Sequence, residues 1–311
     1  MTAHQPTAAA RFSADIARLA VRSLYAELML YPKPGLVSLI DNGSHDDMDA
    51  TTFMRSLFSL RHYFRRICMA GVAGMPFACL RQLGMDAETR MLRATGGINT
   101  HRGAIFSLGL ICAAAGHARA QGLPLSPASL RAALLIRWGR ELDMHAIPPE
   151  ASDNSHGLRV AALYAASGAR EEGALGLPSV FEVGLPALQA ALARGAGQQS
   201  ARVDAFFALM AHVSDTNVYH RGGTEGARIV RERARSFIAM GGTGHPEWRS
   251  QALACHREFV SLRLSPGGAA DLLAASCLVH SIALHVPADD SLPVVLRCET
   301  TPVHVKKAAR P

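Results

Sequence analysis

Apolar side chains recur at the helical period along most of this chain. In a run after Asp49 they fall at Phe53, Leu57, Leu60, Phe64 and Ile67, as expected for one buried face of a helix. In a second run, for which Ser200 is a suitable N-cap, they fall at Val203, Phe206, Phe207, Met210 and Val213. The same spacing predicts helices over roughly 12–31, 100–120, 127–145, 155–168, 179–194, 224–240, 246–263 and 268–285. An alternating β-branched pattern is hinted at only in LPVVLRC (292–298), so the chain is predicted to be all-α.

The helices are expected to form a single large multi-helix domain with glycine-rich functional joints between them. The clearest break in the pattern is RGAGQQSAR (194–202), but the helices on either side of it are similar in character. We therefore expect a disordered N-terminus over 1–10, an all-α catalytic domain over 11–299 and a flexible C-terminal tail over 300–311.

The composition is that of a globular protein rather than of a disordered chain or a nucleic-acid binder. Hydrophobic residues make up 49% of the 311 positions and charged residues 18%. The net charge of +7 comes mostly from scattered arginines, because lysine occurs only at Lys33, Lys306 and Lys307. Nucleic-acid binders usually cluster basic residues beside stacking aromatics, which are only 6% of this chain. We expect no nucleic-acid partner, whereas a polyanionic small ligand would use the same charge locally.

The sequence favours a cytoplasmic protein without a membrane partner. Asp15 and Glu27 lie inside the first helical pattern, which argues against a signal peptide. The uncharged stretch between Arg102 and Arg119 is shorter than the ~20 residues that a membrane span needs. The cysteines lie far apart without zinc-like spacing, as expected for reduced intracellular thiols.

Three joints between predicted helices carry paired glycines directly before a helical run. They are TGGINTHRG (95–103), DTNVYHRGGTEG (215–226) and SPGGAADLL (265–273). A helix start with small residues lets an anion approach open backbone N–H groups and the positive end of the helix dipole. Two of the joints also carry an arginine suited to forked phosphate contacts. Each glycine pair taken alone is better explained as a plain turn, but together the three joints tilt the interpretation towards phosphate binding.

In the third joint, Pro266 suits a first helical position behind a capping Ser265, which would leave the N–H groups of Gly267 and Gly268 open. The familiar nucleotide signatures are absent. Lysine never follows glycine, which excludes a GxxxxGK(S/T) loop, and there is no GxGxxG motif after a strand. A nucleotide would therefore be bound by an all-helical arrangement.

Carboxylates concentrate in the segment 33–49, which follows the first predicted helix. KPGLVSLIDNGSHDDMD (33–49) holds Asp41, Asp46, Asp47 and Asp49, and Asp215 with Asn217 forms a second oxygen-rich point. Such oxygen ligands suit Mg²⁺, which prefers one or two carboxylates together with waters and substrate phosphates. Helix capping is the alternative for the first group, because these aspartates precede a predicted helix. Capping explains Asp215 less well, since it follows a helix, where negative charge is disfavoured.

The histidines fall into two groups. His45, His101 and His156 lie in polar, glycine-containing joints, where a histidine can steer phosphate, exchange protons or simply hydrogen-bond a loop. His117, His212 and His280 follow apolar helical faces and are expected to be packed or surface residues.

Taken together, four segments resemble the triphosphoribosyl-dephospho-CoA synthases. The segments KPGLVSLIDNGSHDDMD, TGGINTHRGAIFSLGLI, DTNVYHRGG and SPGGAADLLAA occur in the family's order over residues 33 to 275. The first segment is closer to the malonate decarboxylase branch of the family than to the citrate lyase branch. One departure is AREEGALGLPSV (169–180), where Glu171 and Leu177 stand in place of a glycine and a phenylalanine while Glu172 is kept.

The resemblance implies a reaction. These enzymes join the ribose C1 of ATP to the 2′-hydroxyl of 3′-dephospho-CoA and release adenine. The product is the precursor of the prosthetic group on the decarboxylase's acyl-carrier subunit, and it is passed to a holo-acyl-carrier-protein synthase. Breaking a C1–N bond builds positive charge on the sugar, so carboxylates are needed near it, and the intact triphosphate needs Mg²⁺ and cations.

The reaction implied by the resemblance predicts roles for the residues of these motifs. The candidate catalytic residues are Asp46, Asp47, Asp49, Glu172 and Asp215, of which Asp46 and Asp215 are also the candidate Mg²⁺ ligands. The candidate substrate-binding residues are Lys33, His45, Gly96, Gly97, Asn99, His101, Arg102, Asn217, Arg221, Gly222, Gly223, Ser265, Gly267 and Gly268. Lys33 is expected to point at phosphate from a turn bounded by prolines.

Two other functions stay open from the sequence. A helical Mg²⁺-dependent hydrolase could use the same aspartates to cleave an N-glycosidic or phosphate bond with water. A non-catalytic assembly factor for the decarboxylase would have the glycine joints as turns only. The sequence leaves open whether the protein is a homo-oligomer.

Overall fold

The structure, a computed structural model, describes residues 7–146 and 168–285. Eleven α-helices lie wholly within these two ranges, which contain no β-strand, so the all-α prediction is confirmed. The helices are α1 (Ala8–Leu28), α2 (Ala50–Ser59), α3 (Arg61–Val72), α4 (Phe77–Ala94), α5 (Arg102–Ala120), α6 (Pro127–Ala146), α7 (Leu185–Ala193), α8 (Gln198–His212), α9 (Thr216–Ala239), α10 (Trp248–Ser261) and α11 (Gly267–His285). A π-helical turn, Ser179–Gly184, leads into α7, and a 3₁₀ turn, Gly242–Gly244, precedes α10. His156, most of the helix expected over 155–168, the LPVVLRC segment and the expected C-terminal tail lie outside the described residues.

The helix boundaries differ from the predicted ones in two places. The run from Asp49 to Ile67 forms two helices, which meet at the fully buried Leu60. The apolar spacing continues through this break, so periodicity does not reveal it. Helix α4 has no counterpart among the predicted helices, although its buried residues keep the helical spacing: Phe77, Leu80, Ala87 and Met91.

Helices α5 and α11 form the centre of the molecule. Both are buried over most of their length, and they pack against each other and against α1. Helix α3 approaches α5 so closely that a Cβ on Gly71 would lie 2.0 Å from the carbonyl oxygen of Ala113. A Cβ on Gly116 would likewise lie 2.1 Å from the carbonyl oxygen of Cys68. Glycine is therefore required at this crossing, because a side chain would separate the two backbones.

The two central helices are also apolar enough to be membrane spans by length and composition. This holds for Arg102–Ala120 and Gly267–Leu284, and the bent pair Gly168–Ala174 and Ser179–Ala193 would count as a third. The sequence argument counted only the uncharged residues between Arg102 and Arg119, whereas the helix that includes both arginines is long and apolar enough. In the fold, 72% of the first helix and 61% of the second are buried against other helices.

The architecture brings distant joints of the chain together. The turn between α1 and α2 packs against the end of α10, and the first turns of α5, α9 and α11 lie beside it. The candidate site is built at this junction.

Candidate active site

Lys33 is a buried residue that forms an ion pair inside the protein. Its side chain is 1% exposed, and its ammonium donates hydrogen bonds to the carboxylate of Glu27 and to the Glu27 carbonyl oxygen, the latter at 3.1 Å. Glu27 lies in the last turn of α1 and is itself buried. The charge that was expected to face phosphate is therefore already paired, while a phosphate contact for Lys33 stays a prediction.

Asp215 caps two helices at once. It is the N-cap of α9, where its Oδ1 accepts the N–H of Asn217 at 2.9 Å. Its Oδ2 accepts the N–H of Ala269, in the first turn of α11, at 2.9 Å. Burial raises the pKa of the Asp215 carboxyl, although hydrogen bonds from these N–H groups and from those of Val218 and Gly268 act in the opposite direction.

The start of α11 is therefore not an open anion site. The N–H of Gly267 donates to the Ser265 carbonyl oxygen at 2.9 Å, and the N–H groups that follow face Asp215. The prediction that Gly267 and Gly268 present free N–H groups is wrong, because a carboxylate of the chain itself occupies the position that a phosphate was expected to take.

Asp271, which the sequence interpretation did not select, lies against the first turn of α5. A Cβ on Gly103 would be 2.2 Å from Oδ2 of Asp271, so only glycine leaves room for this carboxyl group. The N–H of Ala104 also hydrogen-bonds to Asp271. The first turn of α5 thus packs against a carboxyl group carried by the start of α11.

Glu27, Lys33, Asp215 and Asp271 act on one another electrostatically, and we call these four residues the acid–lysine cluster. Burial raises the pKa of Asp271 well above its usual range, and the negative charges of Glu27 and Asp215 raise it further. The positive charge of Lys33 opposes this effect. The cluster holds three carboxyl groups and one ammonium group, so full ionisation would leave excess negative charge in a poorly hydrated place.

His101 is the N-cap residue of α5, and its ring is 2% exposed. Its Nδ1 lies 2.6 Å from Oγ of Ser56, and Phe53 packs edge-on against the ring. Burial and the charge of Lys33 lower the pKa of His101 to about 3, so the ring is neutral at physiological pH. Nε2 has no hydrogen-bond partner in the part of the chain that the structure describes.

A second group, here called the His45 cluster, comprises His45, Asp47, Arg221 and Ser265. Nη2 of Arg221 lies 3.1 Å from Nδ1 of His45, and Nε2 of His45 lies 2.8 Å from Oγ of Ser265. A guanidinium group can only donate, so Nδ1 accepts and Nε2 carries the proton. Burial and Arg221 lower the pKa of His45, which favours this neutral ring, and Asp47 lies 3.6 Å from Nδ1.

The remaining aspartates of the turn lie at the surface. Asp46 is 80% exposed and pairs with Arg263 at 3.1 Å. Asp49 is the N-cap of α2 and forms a capping box with Thr52, so the capping alternative is what the structure shows for this residue. Asp41, which was not selected as a site residue, accepts the N–H of Gly43 and holds the turn in shape.

The other glycine pairs differ from the predicted geometry. Gly96 and Gly97 close α4 with positive φ, and the N–H of Gly97 donates to the Leu92 carbonyl oxygen at 2.7 Å. They do not open α5, which starts at Arg102. Gly222 and Gly223 lie within α9, where Gly223 kinks the helix with φ of 59°.

Polar residues next to the first pair also have internal partners. Oδ1 of Asn99 accepts the N–H of Arg102 at 3.2 Å, which ties this joint to the first residue of α5. Nε of Arg102 donates to Glu88 at 2.6 Å, so this guanidinium is paired at the surface.

Glu172 ties the helical stretch over 168–174 to the π-helical turn. Its carboxylate accepts the N–H and the hydroxyl of Ser179, the former at 3.2 Å, and burial raises its pKa. Leu177, where the sequence departs from the family pattern, is buried with a φ of 57°, a backbone conformation that costs a non-glycine residue energy. Among the described residues, Glu172 makes its hydrogen bonds with Ser179 and not with the two clusters.

Three residues of the junction were missed by sequence reasoning: the buried Glu27 and His256, and Asp271. Glu27 lies at the end of a helix, where a carboxylate is disfavoured, and the argument that selected Asp215 applies to it equally. His256 lies 3.3 Å from Asp41 through Nε2, and its Nδ1 lies 3.3 Å from the N–H nitrogen of Gly35. No signal in the sequence marks His256, because its partners are more than 200 positions away.

The fold and the site define an all-helical protein in which glycine-rich joints surround buried carboxyl groups. Residues 13–288 match the family described as ATP:dephospho-CoA triphosphoribosyl transferase (CitG), and the chain belongs to this family of transferases. The resemblance seen in the sequence motifs is thereby confirmed at the level of the family.

Individual relatives cover most of the chain. A protein of Acinetobacter calcoaceticus is 41% identical over 85% of this chain and 89% of its own length. One of Stutzerimonas stutzeri strain A1501 is 43% identical over 89% of this chain and 93% of its own length. One of Vibrio cholerae serotype O1 strain M66-2 is 37% identical over 86% of this chain and 88% of its own length. All three bear the name "Probable 2-(5''-triphosphoribosyl)-3'-dephosphocoenzyme-A synthase". No solved structure matches the chain.

Proposed function

We propose that this protein joins the triphosphoribosyl group of ATP to the 2′-hydroxyl of 3′-dephospho-CoA and releases adenine. The observation that carries the proposal is the meeting of four distant motifs at one place. Asp271 reaches the first turn of α5, Asp215 joins α9 to α11, and Ser265 and Arg221 both contact His45. The family match and the names of the relatives support the same reaction.

The acid–lysine cluster suits the sugar end of the reaction. The C1–N bond breaks with positive charge developing on the ribose, and carboxylates nearby stabilise that charge. Glu27 and Asp215 supply negative charge there, and the ammonium of Lys33 pairs with Glu27 and holds it in place. Their burial makes these charges more effective than they would be in water.

The His45 cluster suits the triphosphate. The guanidinium groups of Arg221 and Arg263 lie at the surface beside it, and forked guanidinium contacts are well matched to phosphate oxygens. The neutral His45 can donate from Nε2 once a phosphate oxygen replaces Ser265 as its partner.

Mg²⁺ is part of the proposal as the companion of the triphosphate. The exposed carboxylates of Asp46 and Asp47 fit it, because Mg²⁺ takes one or two carboxylates and completes its shell with phosphates and water. Asp215 stays a predicted ligand, but its oxygens already accept backbone N–H groups. When bound, Mg²⁺ would neutralise charge on the triphosphate. Asp46→Asn should raise the Mg²⁺ concentration needed for half-maximal turnover, and an unchanged requirement would remove Asp46 from this role.

Asp49 and Glu172 stay predicted catalytic residues, although each already has a structural partner. We further propose that the enzyme is cytoplasmic and serves malonate decarboxylase, with its product passed to a holo-acyl-carrier-protein synthase. The form of the first motif, with Ser38 and DNGSH, supports the malonate branch. Loss of the protein should abolish growth on malonate and spare growth on citrate, whereas the reverse outcome would assign it to the citrate lyase branch.

The purified protein with ATP and Mg²⁺ tests the reaction directly. The proposed synthase releases adenine only when 3′-dephospho-CoA is added. A hydrolase would release adenine or phosphate without this acceptor, and an assembly factor would release neither. Adenine release that ignores 3′-dephospho-CoA, or no release at all, would overturn the proposal.

A further inference from the structure

Asp271 is the carboxyl group of the acid–lysine cluster that is least stabilised as an anion. Glu27 has the ammonium of Lys33, and Asp215 has backbone N–H groups from two helices. Asp271 has the N–H of Ala104 but forms no salt bridge with a lysine, arginine or histidine in the described ranges. When three carboxyl groups share one ammonium, the proton is retained where the anion is least supported.

The orphaned Nε2 of His101 is an independent sign that a polar ligand group enters at this place. His101 and Asp271 both lie at the first turn of α5, the former as its N-cap and the latter against Gly103. His101 is only 2% exposed, and its other ring nitrogen, Nδ1, hydrogen-bonds to Ser56. An unpaired buried nitrogen costs free energy unless a ligand supplies the missing partner.

We propose that Asp271 is the general acid that protonates adenine as it leaves the ribose of ATP. The inference rests on the proposed function and adds to it the residue that handles the leaving group. Asp271 is an intermediate rather than a fully buried residue, whereas both carboxylate oxygens of the buried Asp215 already accept backbone N–H groups.

The proton balance of the step is closed. The electron pair of the C1–N9 bond moves onto the purine, and the Asp271 carboxyl proton moves to a purine ring nitrogen. The attacking 2′-hydroxyl oxygen bonds to C1 and gives its proton to a base. Asp271 is then left as a carboxylate and regains a proton from solvent before the next turnover, so the net reaction moves one proton from the hydroxyl to adenine.

A substrate whose base leaves without a proton tests this role. N7-methyl-ATP carries a cationic purine, which departs as neutral 7-methyladenine without help from an acid. Asp271→Asn should lower turnover of ATP by a factor of about 10²–10⁴, the usual contribution of a general acid, and change turnover of N7-methyl-ATP by less than about threefold. Glu225→Gln, an exposed carboxylate paired with Arg228 on α9, is the matched control and should leave both rates unchanged.

The wild-type enzyme provides a second readout that does not depend on folding of the variant. Turnover of ATP should fall at high pH as the acid loses its proton, and this fall should be absent with N7-methyl-ATP. Equal losses on both substrates in Asp271→Asn, or the same high-pH fall for both in the wild type, would overturn the assignment. If the wild type released no base from either substrate, the proposed function itself would fail, which is a distinguishable result.

Discussion

The ammonium of Lys33 is enclosed with the carboxylate of Glu27, six residues earlier in the chain, and both side chains are at most 5% exposed. This pair ties the start of the turn after α1 to the helix, and the acidic segment 41–49 follows in the same turn. A buried ammonium that has a carboxylate and a carbonyl oxygen as partners is a positioning element. Lys33 therefore acts mainly by holding the turn in place, and its ammonium is directed at Glu27.

Removing either member of this pair should destabilise the protein, because the other charge would be left buried and alone. We expect Lys33→Met or Glu27→Gln to lower the free energy of unfolding by about 3–5 kcal/mol. The double variant should be more stable than the sum of the single losses predicts, which urea denaturation can measure. Strictly additive losses would show that the two side chains do not depend on each other.

Asp215→Asn should destabilise the junction of α9 and α11 and lower turnover. An asparagine would turn an NH₂ group towards backbone N–H donors that now face a carboxylate oxygen, at a cost of about 1–3 kcal/mol. Asp49→Asn is the control for stability alone, because asparagine is as good an N-cap as aspartate and this position is exposed. A melting temperature for Asp215→Asn equal to that of the control would contradict the double-capping role.

Two glycine positions should behave differently on substitution. In Gly222→Ala the new Cβ would lie 2.4 Å from Cδ2 of the buried Leu264, whose carbonyl oxygen accepts the Ser44 hydroxyl at 2.7 Å. We expect a loss of about 1–3 kcal/mol from overpacking, together with weaker ATP binding.

At Gly97 a Cβ would meet nothing within 4 Å, but φ is +92°. Gly97→Ala should therefore cost about 1 kcal/mol of backbone strain and leave the Kd for ATP unchanged. Calorimetric titration of both variants checks the contrast. If Gly97→Ala weakened ATP binding and Gly222→Ala did not, Gly97 would contact ATP directly.

The raised pKa of Asp271 predicts a specific dependence of stability on pH. Its folded-state pKa lies above the unfolded value, so between the two the folded state binds more protons and the free energy of unfolding falls as pH rises. Its favourable contribution is complete below the unfolded pKa and is lost as pH rises through the folded pKa. Asp271→Asn removes this dependence, so the stability of the variant relative to wild type should increase from pH 4 to pH 8. A constant difference across this range would mean that the carboxyl titrates normally.

The sequence was sufficient for the fold class and for locating the motifs, but not for the partners of individual side chains. Helical periodicity depends only on neighbouring residues, so it predicts α5 and α11 and misses the break at Leu60. The contacts of Asp215 with Ala269 and of His45 with Ser265 join positions 54 and 220 apart, and no local pattern encodes them. The same limit explains the wrong expectation for Gly267 and Gly268, because their N–H groups are accounted for only when Asp215 is placed beside them.

Hydrogen–deuterium exchange with ATP, Mg²⁺ and 3′-dephospho-CoA tests most directly whether the junction is the site of the reaction. We expect the substrates to protect four separate segments together: 33–47, 99–105, 215–223 and 265–271. Segment 233–251, which borders a cavity of ≈ 310 Å³ lined by Phe237 and Gln251, serves as the internal reference and should not change. Protection of the reference segment with none at the four motif segments would contradict the account.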